Sequence, residues 1–168
     1  SKMHSFFFDE DRSITLLSAG NLATSQSVIA KLNRDLEGGE STTIRSGRYV
    51  SDVADYVGEL LVAARTRYAS EEGPDAGLDA SASFIIGGQI AGHEPELYMV
   101  YPEGNHIAAS SSQPYLQIGE TKYGKPILDR ILQADTEPET AMRCAIVSVD
   151  STMRSNATVG PPIELSLI

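Results

Sequence analysis

Tryptophan is missing from these 168 residues, and cysteine occurs once, as Cys144. One cysteine rules out an internal disulfide, so the fold must rest on buried apolar surface, and a reducing compartment, the cytoplasm, is the expected setting. Positive charge is scarce: 13 Lys and Arg stand against 23 Asp and Glu, for a formal net charge of -10. Phosphate backbones and anionic membrane surfaces repel such a chain, which argues against nucleic acid and membranes as partners. No apolar run approaches the roughly twenty residues that span a bilayer. His4, His93 and His106 never fall in pairs at metal-ligand spacing on one element, and Cys144 alone cannot complete a set. There is no G-x-S-x-G elbow and no phosphate loop, and the acidic Glu71, Glu72 and Asp75 lack the spacing of a calcium loop. No metal site is expected from these residues.

The hydrophobic content of 41% is ordinary for a globular chain, and the length fits one domain, residues 1–168, with a core of its own. Ser1 to Phe8 reads as a strand and Asp9 to Arg12 as a charged turn; Ser13 to Ala19 returns as the second arm of a hairpin. A helix follows Gly20, with Leu22, Val28, Ile29, Leu32 and Leu36 inward and Gly38-Gly39 as its stop. The spacing of Val50, Val53, Val57, Leu60, Leu61, Ala64 and Tyr68 predicts a second helix over 47–68. Ser70 to Ala80 is Gly-, Pro- and acid-rich and reads as a loop. Ser81–Ile90, Glu96–Tyr101, His106–Ala109 and Tyr115–Ile118 read as a meander of short strands. A third helix is expected over 123–133, with Ile127, Leu128, Ile131 and Leu132 inward. A fourth starts from a capping box of Thr136 and Glu139 and turns Met142, Ala145, Ile146, Val149 and Met153 inward. The chain then becomes extended through Pro161-Pro162 to Ile168. Strands, helix pair, strands, helix pair, strand is the grouping of an α+β fold. Both ends lie in apolar, strand-like runs, so further residues are expected beyond each.

The segment Leu16-Leu17-Ser18-Ala19-Gly20-Asn21-Leu22 runs from strand through Ala-Gly into helix. Glycine there permits a conformation barred to other residues and close approach of another chain. The first amides of the helix lack internal partners and can face developing negative charge. The same residues would equally serve as a plain strand-to-helix turn.

The segments LLSAGNLATSQSVIAKL, ELYMVYPEGNHIAAS, PYLQIGETKYGKPILDRIL and SVDSTMRSNATVGPPIEL, in that order, resemble proteasome β-type subunits, most closely the bacterial ancestral beta-subunit group. The resemblance implies a four-layer α-β-β-α N-terminal-nucleophile hydrolase fold, here lacking its first two strands. It implies a threonine nucleophile whose own α-amine acts as base, tuned by a lysine, with a glycine amide holding the oxyanion and the peptide lying as an added strand. Carried over by position, Lys2 matches the lysine and Gly20 the oxyanion glycine. Ser18, Ala19 and Asn21 flank the substrate. Glu120, Asp150 and Ser155 are candidates for active-site support, although Glu120 stands where serine is usual and Asp150 to Ser155 is wider than the family's Asp-x-x-Ser. The threonine and its orienting aspartate would precede Ser1, so residues 1–168 alone are expected to be inactive. Homo-oligomers, as rings or open helical assemblies, are implied, with the second helix partly at an interface. The rival is a non-catalytic scaffold or peptide-binding module of the same fold. A small-molecule-binding α+β domain is a third class.

Overall fold

The computed structural model describes residues 2–8, 10–71 and 79–168, so most of the expected 70–80 loop lies outside the described residues. They fall into two compact units, residues 1–108 with 168, and residues 109–167.

The first unit is a five-stranded antiparallel meander in the order β1-β2-β3-β4-β5, made of β1 (Met3–Phe8), β2 (Arg12–Gly20), β3 (Ala82–Ile90), β4 (Glu96–Val100) and β5 (His106–Ala108). Period-two alternation sends Ile14, Leu16 and Ser18 of β2 to one face, alongside Phe84 and Ile86 of β3. Helices α1 (Leu22–Gly38) and α2 (Val50–Glu71) cover that face. The core contains Ile14, Leu16, Leu32, Val53, Val57, Leu61, Phe84 and Ile86, all essentially closed to solvent. Each such side chain contributes about 1.5–3 kcal/mol of burial, which makes this layer the principal source of stability. The expected hairpin, both helices and the strands at 82–90, 96–100 and 106–108 are present. Leu22 departs from expectation: in the first turn of α1 it is 57% exposed.

One polar group sits inside this layer. Asp35 of α1 is buried and accepts hydrogen bonds from Lys31, one turn earlier, and from the hydroxyl of Tyr56 on α2. The Lys31 bond, then the Tyr56 bond, hold the Asp35 carboxyl below its usual range, while burial and Asp35 raise the Tyr56 phenol.

The second unit holds α3 (Lys125–Ile131) and α4 (Pro138–Ser155). Four sequence expectations are corrected here. Tyr115–Ile118 is not a strand: Pro114 removes a donor, and the Tyr115 hydroxyl is engaged instead by Asp129 and Lys125. The extended 161–168 stretch joins no ladder among the described residues, and Ile163, Leu165 and Leu167 are exposed. The capping box does not form: Glu137 is the N-cap, Pro138 opens the helix, Thr136 Oγ1 accepts from the Gln133 amide at 2.7 Å, and Glu139 pairs with Arg143. The inward side of α4 is Cys144, Ser148 and Thr152, while Ile146 and Val147 face out; on α3, Leu128 is buried and Ile131 exposed. The cause is close packing through small residues. A Cβ on Gly124 would lie 2.3 Å from Ser148 Oγ, so α4 turns its small side, not its larger apolar residues, to that loop. Among the described residues, no helix is long and apolar enough to cross a membrane.

Replacing Tyr56 with Phe leaves Asp35 short of a donor inside the helix pair, and urea denaturation should show a loss of about 1–2 kcal/mol. The lowered carboxyl contributes stability that is complete above the unfolded value of about 4 and is lost as pH falls through the folded value. Asp35→Asn should therefore flatten the loss of stability below about pH 4; an unchanged acid slope would contradict the assignment.

Candidate active site

The β2–α1 corner is fixed by hydrogen bonds to three successive carbonyls at the entry to β3. Asn21 Nδ2 donates to the Asp79 carbonyl at 3.0 Å, Thr24 Oγ1 to the Ala80 carbonyl at 2.8 Å, and the Asn21 amide to the Ser81 carbonyl at 2.8 Å. Asn21 is also the N-cap of α1: its Oδ1 accepts from the Thr24 amide at 3.1 Å. The Asp79 carboxylate turns back on the same segment and accepts from the Ser81 amide at 2.9 Å; bonds from Ser81 hold its carboxyl below the usual range.

Gly20 sits at the centre of this corner with φ of 97°, left-handed backbone that residues with a side chain rarely adopt. A Cβ there would lie 2.5 Å from the Ser81 carbonyl oxygen. Glycine is thus required twice, for conformation and for space. The alternation of an antiparallel ladder then settles where its amide points. The Asn21 amide points to β3, and the Ser18 amide points the other way, donating to the Lys2 carbonyl at 2.9 Å. The Gly20 amide lies on the Ser18 side; by the β1–β2 register the position facing it falls two residues before Lys2, outside the described residues. A backbone donor turned away from β3 at such a corner is of the kind that can hold an oxyanion.

The candidate residues divide between the two units. Lys2, Ser18, Ala19, Gly20 and Asn21 are brought together at the corner, with Ser18 nearly buried opposite Lys2. Asn21 was expected to meet substrate, but both ends of its side-chain amide are engaged in holding the corner. Glu120, in the second unit, accepts from the Lys122 amide at 2.9 Å and from Asn156 Nδ2 at 3.0 Å, bonds that lower its carboxyl and tie the loop to the end of α4. Asp150 is paired with Arg154 at 2.8 Å. Ser155 lies five residues further along the same helix, about 140° around its axis, so the two do not form a pair. Cys144 is buried, its thiol within 3.9 Å of the Ile127 carbonyl and raised by that burial, which fits a packing role. The His93 ring packs edge-on against Tyr49, and His106 binds Asp55 at 2.9 Å. Among the described residues no cluster of His, Cys, Asp and Glu could hold a metal. The sequence analysis missed the bonds to carbonyls 79–81; Asn21 followed by Thr24 could have signalled the N-cap, but not these distant partners.

No family model and no curated protein matches the chain. Solved structures do. Anbu (ancestral beta-subunit) from Yersinia bercovieri is 40% identical with a TM-score of 0.89, over 96% of this chain and 66% of that one. The Anbu complex from Pseudomonas aeruginosa, described as a helical assembly, is 45% identical with a TM-score of 0.90 over the same shares, 96% and 66%. Anbu from Hyphomicrobium sp. strain MC1 is 37% identical with a TM-score of 0.75, over 89% of this chain and 68% of that one. The chain belongs to the Anbu family. Its fold is accordingly the α+β, proteasome-like N-terminal-nucleophile hydrolase fold that the sequence resemblance implies. The chain spans 66% of the length of the first two Anbu proteins.

Gly20→Ala forces a Cβ against the Ser81 oxygen in a backbone conformation that opposes it. Thermal unfolding should show a loss of about 1–3 kcal/mol, together with faster exchange of the Asn21 amide. A variant as stable as the parent would mean that the corner is not under this constraint.

Proposed function

We propose that this chain is the bulk of a threonine-type amide hydrolase of the Anbu family, acting on extended peptides. The observation that carries this reading is the Gly20 amide, turned away from β3 at a corner that only glycine fits. A peptide added as a strand along that edge would bring a scissile carbonyl to the amide, which would stabilise the negative charge developing on its oxygen. Lys2 is one ladder position away, and its ammonium would favour the free-base form of a nearby α-amine, the proton acceptor for the nucleophile. The threonine nucleophile would come from sequence preceding Ser1. Glu120, Asp150 and Ser155 remain proposed as support around the amine, with Glu120 acting through the loop it clamps. Self-assembly, in an open helix or a ring, is proposed from the helical assembly described for the Pseudomonas aeruginosa relative. The chemistry is proposed to need neither metal nor organic cofactor, and to take place in the cytoplasm.

The test is turnover of fluorogenic peptides by the intact protein, with a threonine at its mature N-terminus, and by residues 1–168 alone. Turnover is expected from the first and not from the second. Lys2→Ala should lower kcat by about 10²-fold or more with peptide binding retained. Cleavage by residues 1–168 alone would overturn the placement of the nucleophile. Saturable peptide binding by the intact protein without any cleavage would favour the non-catalytic peptide-binding module.

A further inference from the structure

The turn between β1 and β2 borders an open cleft of about 320 Å³, within the size range of ligand sites. Phe7, Ser13 and Gln89 stand opposite one another in the register, so they form one row across three strands. That row lies on the face of the sheet turned away from α1 and α2, because the neighbouring Ile14 faces the helices. Glu10, Asp11, Arg12 and Ala91 complete the lining. Arg12 fixes the turn: its side chain is nine-tenths buried and donates to the Gly47 carbonyl at 2.8 Å and to Asp11 Oδ2 at 3.2 Å. The cleft lies at the start of β2 and Gly20 at its end, eight residues or about 26 Å apart. It is therefore separate from the proposed oxyanion donor.

The lining is rich in acceptors and poor in donors. Among the described residues the Glu10 carboxylate has no partner. Asp11 gives one oxygen to Arg12 and keeps the other. Gln89 donates its Nε2 to the His93 carbonyl at 3.3 Å, which leaves its Oε1 to accept. The Ser13 hydroxyl is closed to solvent and has no hydrogen-bond partner. An unpartnered buried hydroxyl is a standing cost, and a guest that brings it a partner relieves that cost. Two carboxylates against one guanidinium leave the lining with one formal negative charge. Phe7, 66% exposed, adds an aromatic ring of the kind on which cations pack.

Other guests fit these groups poorly. An anion would meet the carboxylates of Glu10 and Asp11, while the charge of Arg12 is already offset by Asp11. An uncharged apolar guest would strip water from both carboxylates and return nothing. Among the described residues no group of side chains could hold a metal ion. We propose that this cleft binds an organic cation, a guanidinium or primary ammonium carried on an alkyl stem. The charged head meets Glu10 and the spare oxygen of Asp11, and the stem lies on Phe7 and Ala91. The net charge of -10 on the chain raises the local concentration of such ligands. A basic side chain of a peptide and a free small amine share this chemistry.

Calorimetric titration of the intact protein tests this, and it reads binding without reference to hydrolysis. The probes are agmatine, a free amine; N-acetylarginine amide, a basic side chain on a peptide-like backbone; and N-acetylnorleucine amide, which keeps a stem and lacks the charge. At least one of the two cationic probes should bind with a dissociation constant of about 1 mM or tighter, and the norleucine compound about tenfold more weakly or not at all. Glu10→Gln should weaken the cationic probe about tenfold, and Phe7→Ala about threefold. Both side chains are exposed, so thermal unfolding should show both variants folded. Glu139→Gln, which removes an equal charge outside the cleft, should leave binding unchanged. Tighter binding of N-acetylarginine amide would assign the cleft to a basic side chain, and tighter binding of agmatine to a free amine; either supports the proposal. No binding of either cationic probe would overturn it. So would equal binding of the norleucine compound, or binding that Glu10→Gln and Phe7→Ala leave unchanged.

Discussion

Three carbonyls in a row, at Asp79, Ala80 and Ser81, hold the place where β2 becomes α1. The bond from the Asn21 amide to Ser81 is the one on which the others depend. It draws the backbone so near that the preceding residue has no room for a Cβ, and it leaves Gly20 in a left-handed conformation. With the Asn21 amide committed to β3, ladder alternation turns the Gly20 amide to the opposite edge. The direction of this amide is therefore set by neighbouring structure, so in the proposed reaction it would need no rearrangement when charge develops before it. Electrostatic stabilisation of a transition state is most effective when it is set in advance in this way.

The rest of the first unit supports that corner. The buried face of the sheet, with Leu16 and Phe84 at its centre, fixes the register of β2 against β3, and register decides which amide faces which edge. The Asp35–Tyr56 bond joins α1 to α2, so the helix that starts at Asn21 is anchored near its other end as well. One face of the sheet thus supplies the stability that keeps the corner in place.

The fold was largely legible in the sequence because its elements announce themselves by period. Short apolar and aromatic runs bounded by turn residues gave β1 to β5, and the 3.6-residue recurrence of Val50, Val53, Val57 and Leu61 gave α2. Ser18-Ala19-Gly20 was readable as a candidate for the same reason, since Ala-Gly between strand and helix is a local signal. What escaped was set by contacts distant in sequence. Nothing near Asn21 names carbonyls 58 positions away at Asp79. The rotation of α4 is decided by Gly124 and Ser148, small residues with no periodic signature, and it overrode the apolar stripe of Met142, Ile146 and Val149. Thr136 and Glu139 have the spacing of a capping box, but Pro138 starts the helix one residue later and Arg143 takes the glutamate. Asp150 and Ser155 lie about 140° apart around α4, as their five-residue separation implies once the helix is known to run to Ser155.

The central claim is the proposal that the Gly20 amide of the intact protein is free to meet a substrate oxygen while its neighbour is tied to β3. Amide hydrogen exchange resolved at single residues tests it most directly. The account predicts rapid exchange at Gly20 beside slow exchange at Asn21, with Gly20 becoming protected when a peptide aldehyde occupies the edge of the intact protein. A Gly20 amide as protected as that of Asn21 in the unliganded protein would contradict the account, because the proposed oxyanion donor would already be spent on another partner.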